Sequence, residues 1–115
     1  MPDAKKLKMY ILIREDVPDN FAPVIAAHAA LLCSLCYNEW DEWDDWLNCS
    51  FKKVVCRVTT EQFDQMEQKL EGGDLGQVIT ESALGGADVA IVIPPMHDLD
   101  PFLRTLDLWS PNDER

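Results

Sequence analysis

Hydrophobic and polar positions fall into blocks whose period changes along the chain. Residues 7–14, LKMYILIR, form an almost unbroken aliphatic run with one Tyr, the pattern of a strand buried on both faces and therefore central in its sheet. Residues 22–37, APVIAAHAALLCSLCY, are apolar on nearly every side, which predicts a helix packed between a sheet and other elements. Within it Val24, His28, Leu31 and Leu35 follow helical spacing, so His28 is expected on or beside a buried face. Ala22, Ala26, Ala29, Ala30 and Cys33 make a small-residue face that lets a backbone approach closely. Asp19 and Asn20 are the candidate N-caps, and Pro23 falls in the first turn, where its missing N–H is not needed.

The pattern then shifts to alternation. In residues 51–59, FKKVVCRVT, Val54, Cys56 and Val58 face one way and Lys53, Val55, Arg57 and Thr59 the other, which predicts a strand. Thr59-Thr60-Glu61-Gln62 reads as a capping box, and Phe63, Met66 and Leu70 repeat at helical spacing until Gly72-Gly73 stops the helix. Residues 77–80 and 87–93 are two further short strands around Leu84-Gly85-Gly86, a hairpin. Pro94-Pro95 ends the last strand, and Asp100-Pro101 starts a final short helix to about Leu106. A long crossover makes the first two strands parallel, and a short turn makes the last two antiparallel. The predicted fold is α/β, a single-layer mixed four-stranded sheet with helices on both faces. It forms one domain over residues 1–109, followed by a loose tail over 110–115.

Residues 38–48, NEWDEWDDWLN, interrupt this scheme. Trp40, Trp43 and Trp46 recur every third residue among Glu39, Asp41, Glu42, Asp44 and Asp45. One reading is a helical turn whose Trp side folds onto the body while the carboxylates stay in water. The other is an exposed acidic and aromatic surface over residues 39–48 for a protein partner, since Trp dominates interface hot spots. A calcium loop needs a Gly that this stretch lacks.

Composition narrows the chemistry. The 115 residues carry a formal net charge of −11, which opposes a phosphate-binding surface overall. The basic residues are nevertheless grouped, as Lys5, Lys6 and Lys8 before the first strand and Lys52, Lys53 and Arg57 along the second. Such lysines also serve as a solvated strand face or as protection of a sheet edge. Of Cys33, Cys36, Cys49 and Cys56, three lie in apolar stretches, so buried thiols are the better reading than disulfides; Cys33-Ser-Leu-Cys36 lies near the end of its helix, unlike a redox motif, and the second pair lacks zinc-knuckle spacing. No apolar run reaches the ~20 residues that cross a membrane, and the N-terminus does not look like a signal peptide, so a cytoplasmic protein is expected. The glycines match neither a phosphate loop nor a dinucleotide fingerprint.

The order of these pieces resembles the peptidyl-tRNA hydrolase type 2 family. Arg14-Glu15-Asp16 stands where that family ends its first strand in Arg-x-Asp, and Ala26-Ala27-His28-Ala29-Ala30 is similar to its Ala-rich His-Ala helix. Residues 52–58 resemble its second strand, Thr80-Glu81-Ser82-Ala83 falls at its Asp-Ala-Gly turn, and residues 89–94 resemble its closing strand. Glu81 replaces the family's Asp, and Phe21-Ala22-Pro23 occupies the place of its Gly-Lys. The resemblance implies hydrolysis of the ester between a peptide, or an N-blocked aminoacyl group, and tRNA, without metal or cofactor. It implies His28 as base or proton relay with Glu81 and Asp16 as its catalytic carboxylates. Lys52, Lys53, Arg57 and Arg14 are then the residues expected to touch tRNA, and a homodimer is possible on the same ground. The alternative is that the fold has lost the activity and binds a protein through Trp40, Trp43 and Trp46.

Overall fold

A computed structural model describes residues 3–112. The aliphatic run becomes β1 (Lys8–Arg14), the middle strand of a single five-stranded sheet. On one side it pairs in parallel with β2 (Lys52–Val58), and on the other it pairs antiparallel with β4 (Ala87–Ile93). β3 (Gln77–Glu81) runs antiparallel to β4 and forms one edge. The mixed topology is as the loop lengths predict. The fifth strand, β5 (Asp107–Leu108), was not expected, because two residues are too short to show alternation; it pairs with β2 only at Cys56 and Arg57.

Alternation along β1 divides two apolar layers. Met9, Ile11 and Ile13 face the layer beneath α1 (Ala22–Tyr37), while Tyr10 and Leu12 face the layer containing Phe63 and Met66 of α3 (Thr60–Glu71). The Thr59–Gln62 capping box at the start of α3 forms in both directions. Gly76 stands where the chain enters β3 in close contact, since a Cβ there would meet the ends of the Leu70 and Ile93 side chains at 2.8 and 2.9 Å and the Val92 carbonyl at 3.0 Å, so that both side chains would have to shift.

The rotation of α1 reverses the expectation for its large residues. Its buried positions are Ala22, Ile25, Ala29, Cys33 and Tyr37, whereas Val24, Leu31 and Leu35 face solvent together with His28. Leu31 is 62% exposed and Leu35 69%. Small side chains let the helix backbone lie close to the sheet, and a stripe of large aliphatics on that face would hold it off. The N-cap also differs: a 3-10 turn, Asp19–Phe21, leads into the helix, and Phe21 occupies the cap position without a side-chain hydrogen bond. Turn and helix together reach 19 apolar-rich residues, a length that meets the requirement for a membrane span, although the small face of the helix is packed on the sheet.

The acidic segment follows its first reading. It forms α2 (Asp41–Asp45) and a π-helical turn (Trp46–Ser50) that buries Trp43 and Trp46 and leaves Asp41, Asp44 and Asp45 exposed. The Trp46 indole N–H donates to the Lys52 carbonyl at 2.8 Å, and its ring lies 4.8 Å from that of Trp43. Trp40 is half-buried, edge-on to Tyr37. This corrects the expectation of a Trp-faced recognition surface, because two of its three indoles are core. The Ser50 hydroxyl donates to the Leu7 carbonyl, tying the turn to the start of β1.

Two smaller expectations change as well. Ser110 accepts a hydrogen bond from Arg57 and Asn112 donates to Asp19, so the part of the expected loose tail within the described residues is tied down; residues 113–115 lie outside them. Only Cys33 and Cys56 are buried, and Cys36 and Cys49 are exposed. Burial pushes the Cys33 thiol up to about 12 and that of Cys56 to about 11.

Three outcomes follow from this packing. Ala29→Leu should destabilise the fold by about 1–3 kcal/mol through overpacking, whereas Leu31→Ser on the exposed face should stay within about 0.5 kcal/mol; denaturant melts of both variants check the helix rotation. Trp46→Ala should cost about 3–5 kcal/mol in the same assay. A thiol reagent at neutral pH should label Cys36 and Cys49 in the native protein and reach Cys33 and Cys56 only on unfolding.

Candidate functional site

β3 ends at Glu81, which alternation places on the same face as Ile79, beneath α1. Glu81 is 9% exposed and is the buried charged residue among those described. A carboxylate withdrawn from water needs hydrogen bonds or a cation to offset its lost hydration. One oxygen, Oε1, accepts the Ala83 backbone N–H at 3.2 Å, so the side chain caps the turn that follows its own strand. The Gly86 N–H also returns to the Glu81 carbonyl at 2.9 Å. That return requires left-handed backbone at Gly85 and Gly86, with φ of 73° and 75°.

The second oxygen, Oε2, lies 3.1 Å from Nε2 of His28. His28 sits one residue before Ala29, whose methyl is fully buried, so the helix presents the imidazole at the flank of its buried face. Its side chain remains 51% exposed. Nε2 therefore faces a fixed, nearly dry carboxylate while the other edge of the ring is open to water. Val24, Leu31 and Leu35 do not enclose it.

Asp16 does not join this pair. Its carboxylate is taken by Arg14 in a fork, with Nε at 2.7 Å from Oδ1 and Nη2 at 3.1 Å from Oδ2. The Arg14 hydrogen bond holds the Asp16 carboxyl below the usual carboxylate range. The Arg14 guanidinium also lies over the Phe63 ring, on the α3 side of the sheet and away from α1. Arg57 is engaged in a similar way: it pairs with Asp19 at 3.0 Å, donates to the Ser110 carbonyl at 2.6 Å and stacks over Trp109. Asp19 is held low by the Asn112 backbone N–H first and by Arg57 second.

Lys52 and Lys53 lie elsewhere again. β2 is parallel to β1, and Lys52 is level with Lys8 at the start of both strands. Glu81 pairs with Ala87, at the opposite end of the sheet. The four cations expected to touch tRNA thus divide into two that are built into the fold and two that are remote from His28. A cleft of about 710 Å³ opens near the end of β4, lined by Trp40, Met66, Ile93, Met96 and Leu99 with acidic residues at its rim. It holds neither His28 nor Glu81; of that pair the imidazole is open to solvent and the carboxylate is buried beneath it.

Sequence reasoning missed the Ala83 N–H that fixes Glu81. A signal was available in Glu81-Ser82-Ala83, where an acidic side chain two residues before a backbone N–H can cap a turn.

No curated protein shows a match to the chain. The family model described as peptidyl-tRNA hydrolase PTH2 matches residues 7–108, a span that contains all five strands and both His28 and Glu81, and the chain belongs to that family.

Proposed function

We propose that this chain hydrolyses the ester that joins a peptide, or an N-blocked aminoacyl group, to the terminal ribose of tRNA. The observation that carries the reading is the contact between His28 Nε2 and Glu81 Oε2, in a chain whose family acts on that class of bond. A neutral imidazole turned to a carboxylate in this way keeps its proton on Nε2 and its lone pair on Nδ1. Nδ1 then takes a proton from a water molecule as that water attacks the ester carbonyl carbon. The tetrahedral intermediate collapses with loss of the ribose oxygen, which recovers the proton from the imidazolium. The products are a free ribose hydroxyl and a peptide carboxylic acid, which loses its proton to water to become the carboxylate. Glu81 stabilises the imidazolium between the two proton transfers and does not itself need to gain a proton.

Asp16 is paired with Arg14 on the other side of the sheet, and neither touches the base. The open position of His28 suits a macromolecular ester, whose reacting end approaches over a surface and does not enter an enclosed cavity. A tRNA-linked substrate also agrees with the cytoplasm as the working compartment.

Hydrolysis of N-acetyl-aminoacyl-tRNA by the purified protein at low salt tests the proposal. His28→Ala should lower kcat by about 10²–10⁴-fold. Glu81→Gln keeps an acceptor for Ala83 but removes the charge, and it should lower kcat while leaving KM within about twofold. A folded wild-type protein that releases no more product than the uncatalysed reaction would refute the proposal. Unchanged kcat in both variants would refute the assignment of the two residues.

A further inference from the structure

The described basic residues separate into three sets. Arg14, Arg57 and Lys69 are held in ion pairs with Asp16, Asp19 and Asp100, and Arg104 stands apart in the turn Pro101–Thr105. The remaining five, Lys5, Lys6, Lys8, Lys52 and Lys53, gather at one end of the sheet, and none forms an ion pair with a described acidic residue. Lys5 and Lys6 lie in the 3-10 turn that leads into β1. Lys8 stands directly across from Lys52, and Met9 from Lys53.

Two ammonium groups placed opposite each other on neighbouring strands repel, and in a chain of net charge −11 carboxylates are abundant enough to relieve them. Asp41, Asp44 and Asp45 of α2, which packs on the π-helical turn that in turn meets Ala4–Lys6, make no ion pair with these lysines. Protection of a sheet edge accounts for part of the cluster. β5 covers β2 only at Cys56 and Arg57, so the start of β2 is an open edge where lysines discourage strand pairing. That argument does not extend to Lys8 on the central strand, nor to Lys5 and Lys6 ahead of it.

An aromatic ring completes the patch. Phe51 is 52% exposed and carries the left-handed backbone (φ 54°) that makes it the C-terminal cap of the π-helical turn. The Lys53 ammonium lies over its ring and donates to its carbonyl. Clustered unpaired lysines beside an exposed aromatic ring suit a polyanion that also carries flat bases.

We propose that Lys5, Lys6, Lys8, Lys52 and Lys53 grip the phosphate backbone of the tRNA, with Phe51 stacking on an unpaired base, at the end of the sheet opposite His28 and Glu81. This rests on the reading of the substrate as a tRNA ester. The two ends are separated by the length of β1, roughly 20 Å for seven residues. Recognition of the nucleic acid is therefore spatially separate from the chemistry on its ester.

Binding of fluorescently labelled, deacylated tRNA between 50 and 200 mM salt, followed by anisotropy, tests this without any hydrolysis. The combined variant Lys5→Gln, Lys6→Gln, Lys8→Gln, Lys52→Gln leaves Lys53 on its ring. It should make the dependence of log K on log salt shallower by about 3, at about 0.7–0.9 per lost phosphate contact. Phe51→Ala should weaken binding several-fold with the slope unchanged, and Arg104→Gln should change neither quantity. Wild-type protein that does not bind tRNA at 50 mM salt, or a fourfold variant with wild-type slope, would overturn the proposal. Preferential binding to phosphatidylglycerol vesicles over tRNA would overturn it too. If tRNA binds through these lysines but its ester is stable, the hydrolase reading falls and the patch stands. If the ester is cleaved and the slope does not move, the reverse holds.

Discussion

The close approach of α1 to the sheet is the constraint on which the remaining structure depends. Ala22, Ile25, Ala29 and Cys33 allow a helix backbone to lie against β1 and β4 with little side-chain bulk between them. Once those positions face inward, the 100° step of the helix leaves no freedom for the others. Leu31 and Leu35 must point to water, and His28 must stand at the flank, over the edge strand β3. The His28–Glu81 contact is thus a consequence of how small the buried face is.

Glu81 is held from both directions. The turn Ser82–Leu84 and the two left-handed glycines bring the Ala83 N–H to one carboxylate oxygen, while α1 brings an imidazole to the other. A charged group that is nearly dry and fixed on one side has a defined electrostatic effect on whatever meets its free oxygen. Arg14 with Asp16 and Arg57 with Asp19 show the contrasting case. Those ions are spent on joining loop, strand and C-terminal segment, and Arg57 retains a buried Nη1 without a partner.

Much of the sheet was legible because its strands carry distinct signatures. β1 is apolar on both faces, β2 alternates, and Gly85-Gly86 marks the hairpin, so the central place of β1, the parallel β1–β2 pair and the antiparallel β3–β4 pair follow from residues alone, whereas the antiparallel β1–β4 pairing that joins the two halves does not. β5 was hidden by its length. The facing of α1 was misjudged because hydrophobic patterning weighs side chains by size, and Leu31 and Leu35 outweigh Ala29 and Cys33 on any such measure. Close packing reverses that weighting, and the small-residue face was the signal for it: Ala22, Ala29 and Cys33 of that face are buried. His28 and Glu81 were found through the order of family-like motifs, as their separation of 53 positions carries no local signal. The division of the cations into paired and unpaired sets was also invisible, because it depends on which carboxylates the fold delivers to Arg14 and Arg57.

Which edge of the His28 ring meets Glu81 decides where the base lies, and nitrogen-resolved NMR of that imidazole at alkaline pH reads it directly. The expected result is a neutral ring protonated on Nε2 with a bare Nδ1, and a change in its nitrogen shifts on Glu81→Gln. A ring protonated on Nδ1, or shifts indifferent to Glu81, would contradict the placement of the base and with it the proposed chemistry.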